Sequence, residues 1–142
     1  MKKNTFWRVA LPVCIALWTA FIWAGSLKNA DESSADSSWV AAWLVRLFGW
    51  GTQPEWLIVV IRKTAHFAEF AVLGLLWGGC SRAYGRRLWL WGLPVGVLDE
   101  CLQFFSPGRA PRILDVGIDT AGFLCGVAAV WFFVCLRRKK IK

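Results

Sequence analysis

The sequence predicts an all-α integral membrane protein, a four-helix bundle with both termini cytoplasmic and a short interfacial helix between spans one and two. Hydrophobic residues make up 57% of the 142-residue chain and eleven residues are Trp, more than ordinary soluble domains carry. Residues 9–27 hold no charge and approach the roughly 20 residues that cross hydrocarbon. Three later stretches carry their charged residues near one end and are apolar over the rest of their length, so they are also candidate spans. The predicted spans are residues 9–27, 55–81, 88–105 and 113–136.

The basic residues indicate how these spans are oriented. The formal net charge is +8, and eleven of the seventeen Lys and Arg residues lie before the first span, between the second and third, or after the fourth. With four spans, all three groups lie on the same side, which the positive-inside rule makes cytoplasmic. Anionic lipid headgroups explain such groups better than nucleic acid does. We therefore expect membrane lipids as partners and no nucleic acid.

The first span also has features of a secretory signal peptide, because Lys2 and Lys3 precede it and small residues follow it. Its apolar stretch is longer than the roughly 7 to 15 residues of a signal-peptide core. We therefore expect a retained anchor, and the topology is the same in either case.

The five cysteines lie within the predicted spans, and they form neither a C-x-x-C motif nor a Cys/His spacing typical of zinc sites. Buried cysteines of this kind usually act as small apolar packing residues. We expect no disulfide and no cofactor.

The segment between the first two spans has two parts. Residues 28–38 are rich in Asp and Ser and predict a solvated loop on the outer side. Residues 39–50 have apolar side chains at helical spacing but are too short to cross, which predicts a helix lying in the interface. Thr52 and Glu55 have the spacing of a capping box, so the second span is predicted to begin there.

Glycine pairs at four-residue spacing recur in three spans. The pairs are Gly74 and Gly78, Gly92 and Gly96, and Gly122 and Gly126. Small residues at this spacing let helix backbones approach closely in a membrane. We expect spans two to four to pack tightly, with the first span at the edge and a bend in the third at Pro94. No internal repeat is evident, so residues 1–142 are expected to form one domain.

Polar side chains also lie within the predicted spans, at spacings that stack them on one helix face. They are Arg62, Lys63, His66 and Glu69 in the second span, Asp99, Glu100 and Gln103 in the third, and Asp115 and Asp119 in the fourth. Counted at about 1.5 Å per residue, they lie roughly 18 to 33 Å from the basic cytoplasmic ends. Because the hydrocarbon core is about 30 Å thick, these residues lie in its outer half and at the outer interface. The following loop can lay Arg109 and Arg112 over this polar group.

Polar groups are costly in hydrocarbon, so the function is expected where they gather. The side chains could pair with each other and only lock the bundle, because acidic and basic charges nearly balance. Binding of the polar head of an amphiphile explains this set of side chains better than internal pairing does. Arg and Lys pair with phosphate or carboxylate, and the carboxylates accept hydrogen bonds from amine, amide or sugar groups. An acyl chain could then lie between the helices.

Three other functions remain as alternatives. An intramembrane enzyme acting on a lipid-linked substrate would use His66 as base and Glu69 or Asp99 as acid, although no Ser or Cys is evidently placed for activation. A metal site is disfavoured, because H-E-x-x-H and comparable spacings are absent and four basic side chains lie at the same level. Ion-coupled transport is disfavoured, because four spans form a thin pathway.

Three ordered motifs, residues 62–70, 99–109 and 115–122, resemble those of the VanZ-like family of bacterial membrane proteins. The resemblance implies a small multi-pass protein of the bacterial cytoplasmic membrane. The founding member of the family is associated with low-level resistance to teicoplanin, a glycopeptide that bears a lipid tail. An envelope precursor or a lipoglycopeptide is therefore an expected ligand.

The chain departs from the family pattern at two positions. Leu102 stands where many relatives have His, and Ala110 stands where Ser often follows the Arg. No mechanism that needs a second His is therefore expected. We predict a ligand site formed by Arg62, Lys63, His66, Glu69, Asp99, Glu100, Gln103, Arg109, Asp115 and Asp119, with Arg62, Lys63 and Arg109 meeting the anionic groups.

Overall fold

The computed structural model describes residues 3–110 and 112–139, and all regular structure within them is helical. The helices are α1 (Lys3–Ser26), α2 (Ala30–Phe48), α3 (Glu55–Tyr84), a 3₁₀ helix (Leu88–Gly92), α4 (Pro94–Gln103) and α5 (Ile113–Lys139). The all-α class predicted from the sequence is confirmed.

Helix α3 is the centre of the packing. It lies against α5 over the most extensive interface in the described chain, and it also contacts α1, α2 and the 3₁₀ helix. The core between these helices includes Phe70 and Leu73 of α3 and Phe123 of α5. Helix α1 also contributes Ile15 and Ile22 to this core, while most of its other side chains are exposed.

Two of the predicted glycine pairs lie where α3 and α5 touch. A Cβ atom at Gly74 would overlap the carbonyl oxygen of Phe123, and one at Gly126 would overlap the carbonyl oxygen of Ala71. The two backbones are therefore in direct contact, as small residues allow. In the third pair, a Cβ atom at Gly92 would overlap the ring of Phe123.

Two of the described helices, Phe6–Ser26 and Ile113–Arg138, are long and apolar enough to cross a membrane. Helix α3 has 30 residues and a length of about 45 Å, but it carries the charged residues of the second predicted span. The four-span topology with cytoplasmic termini remains a prediction.

The third predicted span is interrupted. Residues 88–105 were expected to form one bent helix, whereas the structure has a five-residue 3₁₀ helix followed by a ten-residue α4. Pro94 explains the break, because proline has no N–H for a continuing helix and is favoured in the first turn of a new one. At about 15 Å, α4 alone reaches only about half of a hydrocarbon core.

Helix α2 begins nine residues before the predicted interfacial helix and includes most of the expected loop. The side chain of Asn29 accepts a hydrogen bond from the Glu32 N–H at 2.8 Å, and the Glu32 side chain accepts one from the Asn29 N–H at 3.3 Å. This capping box starts the helix within residues 28–38, where the sequence predicts a solvated loop. The box predicted at Thr52 does not form, because α3 begins after Pro54 without a side-chain cap.

The direct contact between α3 and α5 yields a first prediction. Gly126→Ala should lower the free energy of unfolding by about 1 to 3 kcal/mol, because the new methyl group meets backbone that has no room to move. The matched control is Gly117→Ala on the same helix, where no atom lies within 4 Å of a new Cβ. It should be neutral or stabilising by up to about 1 kcal/mol. Thermal unfolding in detergent measures both, and equal effects would contradict the contact.

The capping box of α2 yields a second prediction. Asn29→Ala should destabilise the first turn by about 1 kcal/mol, which makes amide hydrogen exchange in that turn about fivefold faster. Ser38→Ala, more than two turns further along the same helix, should leave that rate unchanged. Mass-spectrometric exchange measures both variants. Unchanged exchange in Asn29→Ala would mean that the cap does not hold the helix.

Candidate functional site

A cavity of about 180 Å³, here named the basic cavity, opens between α3, the loop after α4 and the start of α5. The polar residues that line it are Arg62, Lys63, His66, Gln103, Arg109, Arg112 and Asp115. Four of these side chains are basic and one is a carboxylate. The lining therefore has an excess of positive charge.

The one carboxylate of the basic cavity is already paired. Lys63 Nζ lies 2.6 Å from Asp115 Oδ1, and both side chains are partly exposed. The side chains of Arg62, Arg109 and Arg112 form no salt bridge with any carboxylate in residues 3–110 and 112–139. The unpaired positive charge of the cavity is therefore carried by these three arginines.

The loop that presents Arg109 is shaped by Gly108. Gly108 has φ 75°, a conformation that favours glycine, and a Cβ atom there would lie 3.0 Å from the Cβ of Ala30. The Ala30 N–H donates to the carbonyl of Pro107 at 3.1 Å. The start of α2 therefore supports the loop from one side.

The end of α1 supports the same loop from another side. Ser106 Oγ donates to the carbonyl oxygen of Ser26 at 2.9 Å, and the Arg109 guanidinium donates to it at 3.3 Å. This carbonyl belongs to the last turn of α1, where backbone acceptors have no partner within the helix. The guanidinium is thereby directed along the cavity wall. Burial lowers the pKa of Arg109, and the like charge of Arg62 acts in the same direction.

Two predicted carboxylates and the histidine form a second group behind the basic cavity, here named the acidic cluster: His66, Asp99 and Asp119. Asp99 and Asp119 are fully buried. His66 Nδ1 lies 3.6 Å from Asp119 Oδ1, beyond normal hydrogen-bond length. Gly96 lets α4 approach, because a Cβ atom there would lie 3.3 Å from the Asp119 Cβ. Most of the polar residues predicted as one group thus lie in a basic cavity or in an acidic cluster, and the two share His66.

Asp99 is oriented by two hydrogen bonds to the same carboxylate oxygen. Its Oδ2 accepts from Ser26 Oγ at 2.7 Å and from Gln103 Nε2 at 3.2 Å. Gln103 was predicted as a site residue. Ser26 and Ser106 were not, and the sequence offers no periodicity that would connect Ser26 at the end of α1 with α4. Ser26 is buried and directs Asp99, so it is not an exposed nucleophile.

The remaining predicted residues, Glu100 and Glu69, do not line the basic cavity. Glu100 is buried, and its Oε2 accepts a hydrogen bond from the Arg112 N–H at 2.9 Å, which fixes the approach to α5. Glu69 lines a neighbouring cavity of about 300 Å³, which shares Arg62, His66 and Arg109 with the basic cavity. Glu100 therefore supports the loop between α4 and α5, while Glu69 lies in the second cavity, which Arg62 and Arg109 also line.

Comparison with known proteins identifies a family to which this chain is similar. Residues 11–134 match the sequence profile of the VanZ/LLP1 family. No curated protein and no solved structure matches the chain. The matched range contains every residue of the basic cavity and of the acidic cluster, and it confirms the resemblance carried by the three motifs. Together with the two apolar helices, the match indicates a membrane protein. The chain belongs to the VanZ/LLP1 family.

Proposed function

We propose that this protein is a multi-pass protein of the bacterial cytoplasmic membrane that binds the anionic head of a lipid-like envelope molecule in its basic cavity. The observation that carries the proposal is the set of three arginines, Arg62, Arg109 and Arg112, which line one small cavity and pair with no carboxylate in the described chain. Guanidinium groups form charge-assisted, often bidentate hydrogen bonds with phosphate and carboxylate. A phosphate or carboxylate head satisfies this arrangement.

The size of the cavity supports a single headgroup. Its volume of about 180 Å³ lies below the roughly 300 Å³ at which sites for drug-sized ligands begin. A whole glycopeptide does not fit inside. In this proposal, any link to teicoplanin-type resistance runs through the envelope lipid that occupies the cavity, with the antibiotic outside it.

An apolar groove next to the cavity suits the tail of the same molecule. The groove has a volume of about 520 Å³ and an almost wholly apolar surface formed by α4, the following loop and α5. Its apolar residues include Val97, Phe104, Phe105 and Ile113. Arg112 lines both the groove and the basic cavity, so an amphiphile can hold its head against the arginines and its chain along the groove.

Binding of a simple amphiphile tests this function. Purified full-length protein in a neutral detergent should bind hexadecyl monophosphate and should bind hexadecanol far more weakly, as measured by native mass spectrometry. The double variant Arg62→Gln, Arg112→Gln should weaken phosphate binding about 100-fold, because each charge-assisted hydrogen bond contributes about 1.5 to 3 kcal/mol. These two side chains are chosen because neither makes a hydrogen bond in the described chain, so the fold should tolerate their loss.

The matched control is the double variant Arg46→Gln, Arg86→Gln, which removes the same charge from residues that do not line the cavity. It should bind the phosphate as the wild type does. Equal affinity of the cavity variant and the wild type, or equal affinity of the wild type for the phosphate and the alcohol, would contradict the proposal.

A second candidate function is favoured by one contact. His66 lines the basic cavity while its Nδ1 faces buried Asp119 at 3.6 Å, and a carboxylate behind an imidazole is a common support for a general base. The protein would then be an intramembrane enzyme acting on a lipid-linked envelope substrate. Turnover of a lipid phosphate detected by mass spectrometry, and lost in both His66→Gln and Glu69→Gln, would favour it over binding alone.

A further inference from the structure

The acidic cluster contains acceptor atoms that have no partner. Asp99 and Asp119 are fully buried, yet Asp99 Oδ1 and both oxygens of Asp119 accept no hydrogen bond in the described chain. His66 Nδ1 also lacks a hydrogen-bond partner among these residues. One possible ligand atom from each of the three residues, an imidazole nitrogen and one oxygen of each carboxylate, lies within 4.8 Å of the others. Unpartnered groups from three helices therefore lie close together.

Without a counter-charge this arrangement is unfavourable. Two buried carboxylates close together repel each other, and burial of a carboxylate without a partner is strongly destabilising. The basic residues do not relieve them: Lys63 pairs with Asp115, and no arginine forms a salt bridge with Asp99 or Asp119 in the described chain. The Lys and Arg side chains therefore supply no counter-charge to Asp99 and Asp119.

We propose that His66, Asp99 and Asp119 bind one divalent transition-metal cation, Zn²⁺ or Mn²⁺. Two carboxylates and a neutral imidazole balance a charge of two. Bonds of about 2.0 to 2.1 Å in a tetrahedral zinc site separate ligand atoms by about 3.3 Å, close to the 3.6 Å between His66 Nδ1 and Asp119 Oδ1. Three protein ligands leave a coordination position open, as in catalytic zinc sites.

The surroundings support a metal site in two ways. Ser26 and Gln103 donate to Asp99 Oδ2, which leaves Oδ1 without a partner, and such hydrogen bonds to ligating carboxylates commonly orient metal ligands. The mixed nitrogen and oxygen set suits Zn²⁺ or Mn²⁺ better than Ca²⁺, which takes six to eight oxygen ligands.

The sequence disfavours a metal for two reasons, and the structure bears on both. The ligands come from three helices, α3, α4 and α5, so no local spacing such as H-E-x-x-H is expected. The four basic side chains line the basic cavity, whose lining includes His66 but neither Asp99 nor Asp119. A cation here would join the three helices at one point. Bound at His66 Nδ1, it would leave the proton of the neutral imidazole on Nε2, so His66 could not act as a general base at the same time.

Metal content of the wild type provides the primary test. Full-length protein in detergent is stripped with a chelator, dialysed against Zn²⁺ or Mn²⁺, and analysed by inductively coupled plasma mass spectrometry. We expect about one tightly held ion per chain and a metal-dependent rise in the unfolding temperature. Wild-type protein that retains neither ion and shows no rise would overturn the proposal.

Variants identify the ligands. Asp119→Asn and His66→Gln should each weaken metal binding at least about tenfold, since even residues that only orient metal ligands have effects of 10- to 100-fold. Asp119→Asn should still fold without metal, because it removes a buried carboxylate that has no partner, but its unfolding temperature should no longer respond to the ion. Asp115→Asn is the matched control and should bind metal as the wild type does. Loss of metal in Asp115→Asn, or full retention in Asp119→Asn, would overturn the assignment.

A simple ion pair between His66 and Asp119 predicts different results. In that case the wild type binds no metal, and Asp119→Asn lowers the stability of the protein without added ions. This pattern would overturn the metal site. The metal assay contains no added lipid and leaves the arginines intact. A wild-type protein that binds no metal would therefore leave the proposal of headgroup binding unaffected. The Arg62→Gln, Arg112→Gln variant should retain the ion.

Discussion

The direct backbone contact between α3 and α5 is the constraint on which the rest of the molecule depends. Gly122 packs against the carbonyl of Phe67, and this contact lies next to Asp119 and His66 in the two helices. A side chain at the glycine would push the helices apart and would separate the imidazole from the carboxylate. The position of the acidic cluster therefore depends on these glycines as well as on its own side chains.

The spacing of residues in the sequence predicted those features that depend on the geometry of a single helix. The four-residue spacing of Gly74 and Gly78 indicated a close helix contact, and the spacing of His66 and Glu69 indicated a polar face. The helix start at Asn29 was equally local, and its side-chain cap was readable as Asn-x-x-Glu. The Asp and Ser residues after Asn29 are also typical of loops, but near a helix N-terminus acidic residues favour the helix.

Contacts across helices could not be predicted in the same way. Counting residues from the cytoplasmic ends gives the level of a polar group along the membrane normal but not its distance from the bundle axis. Asp115 and Asp119 lie one turn apart, yet the first is partly exposed beside Lys63 and the second is fully buried. This radial difference divides the basic cavity from the acidic cluster. For the same reason, no pattern connected Ser26 with Asp99, since their contact depends on how α1 meets α4.

The contact between α3 and α5 also determines which parts of the molecule are able to move. Packed helices slide past each other by small readjustments of the side chains between them. Where Gly126 meets the backbone of Ala71, no side chain lies between the helices to make that adjustment. Helices α3 and α5 therefore form a rigid wall. Any adjustment of the basic cavity is therefore left to its other boundary, the loop around Gly108 and the start of α2.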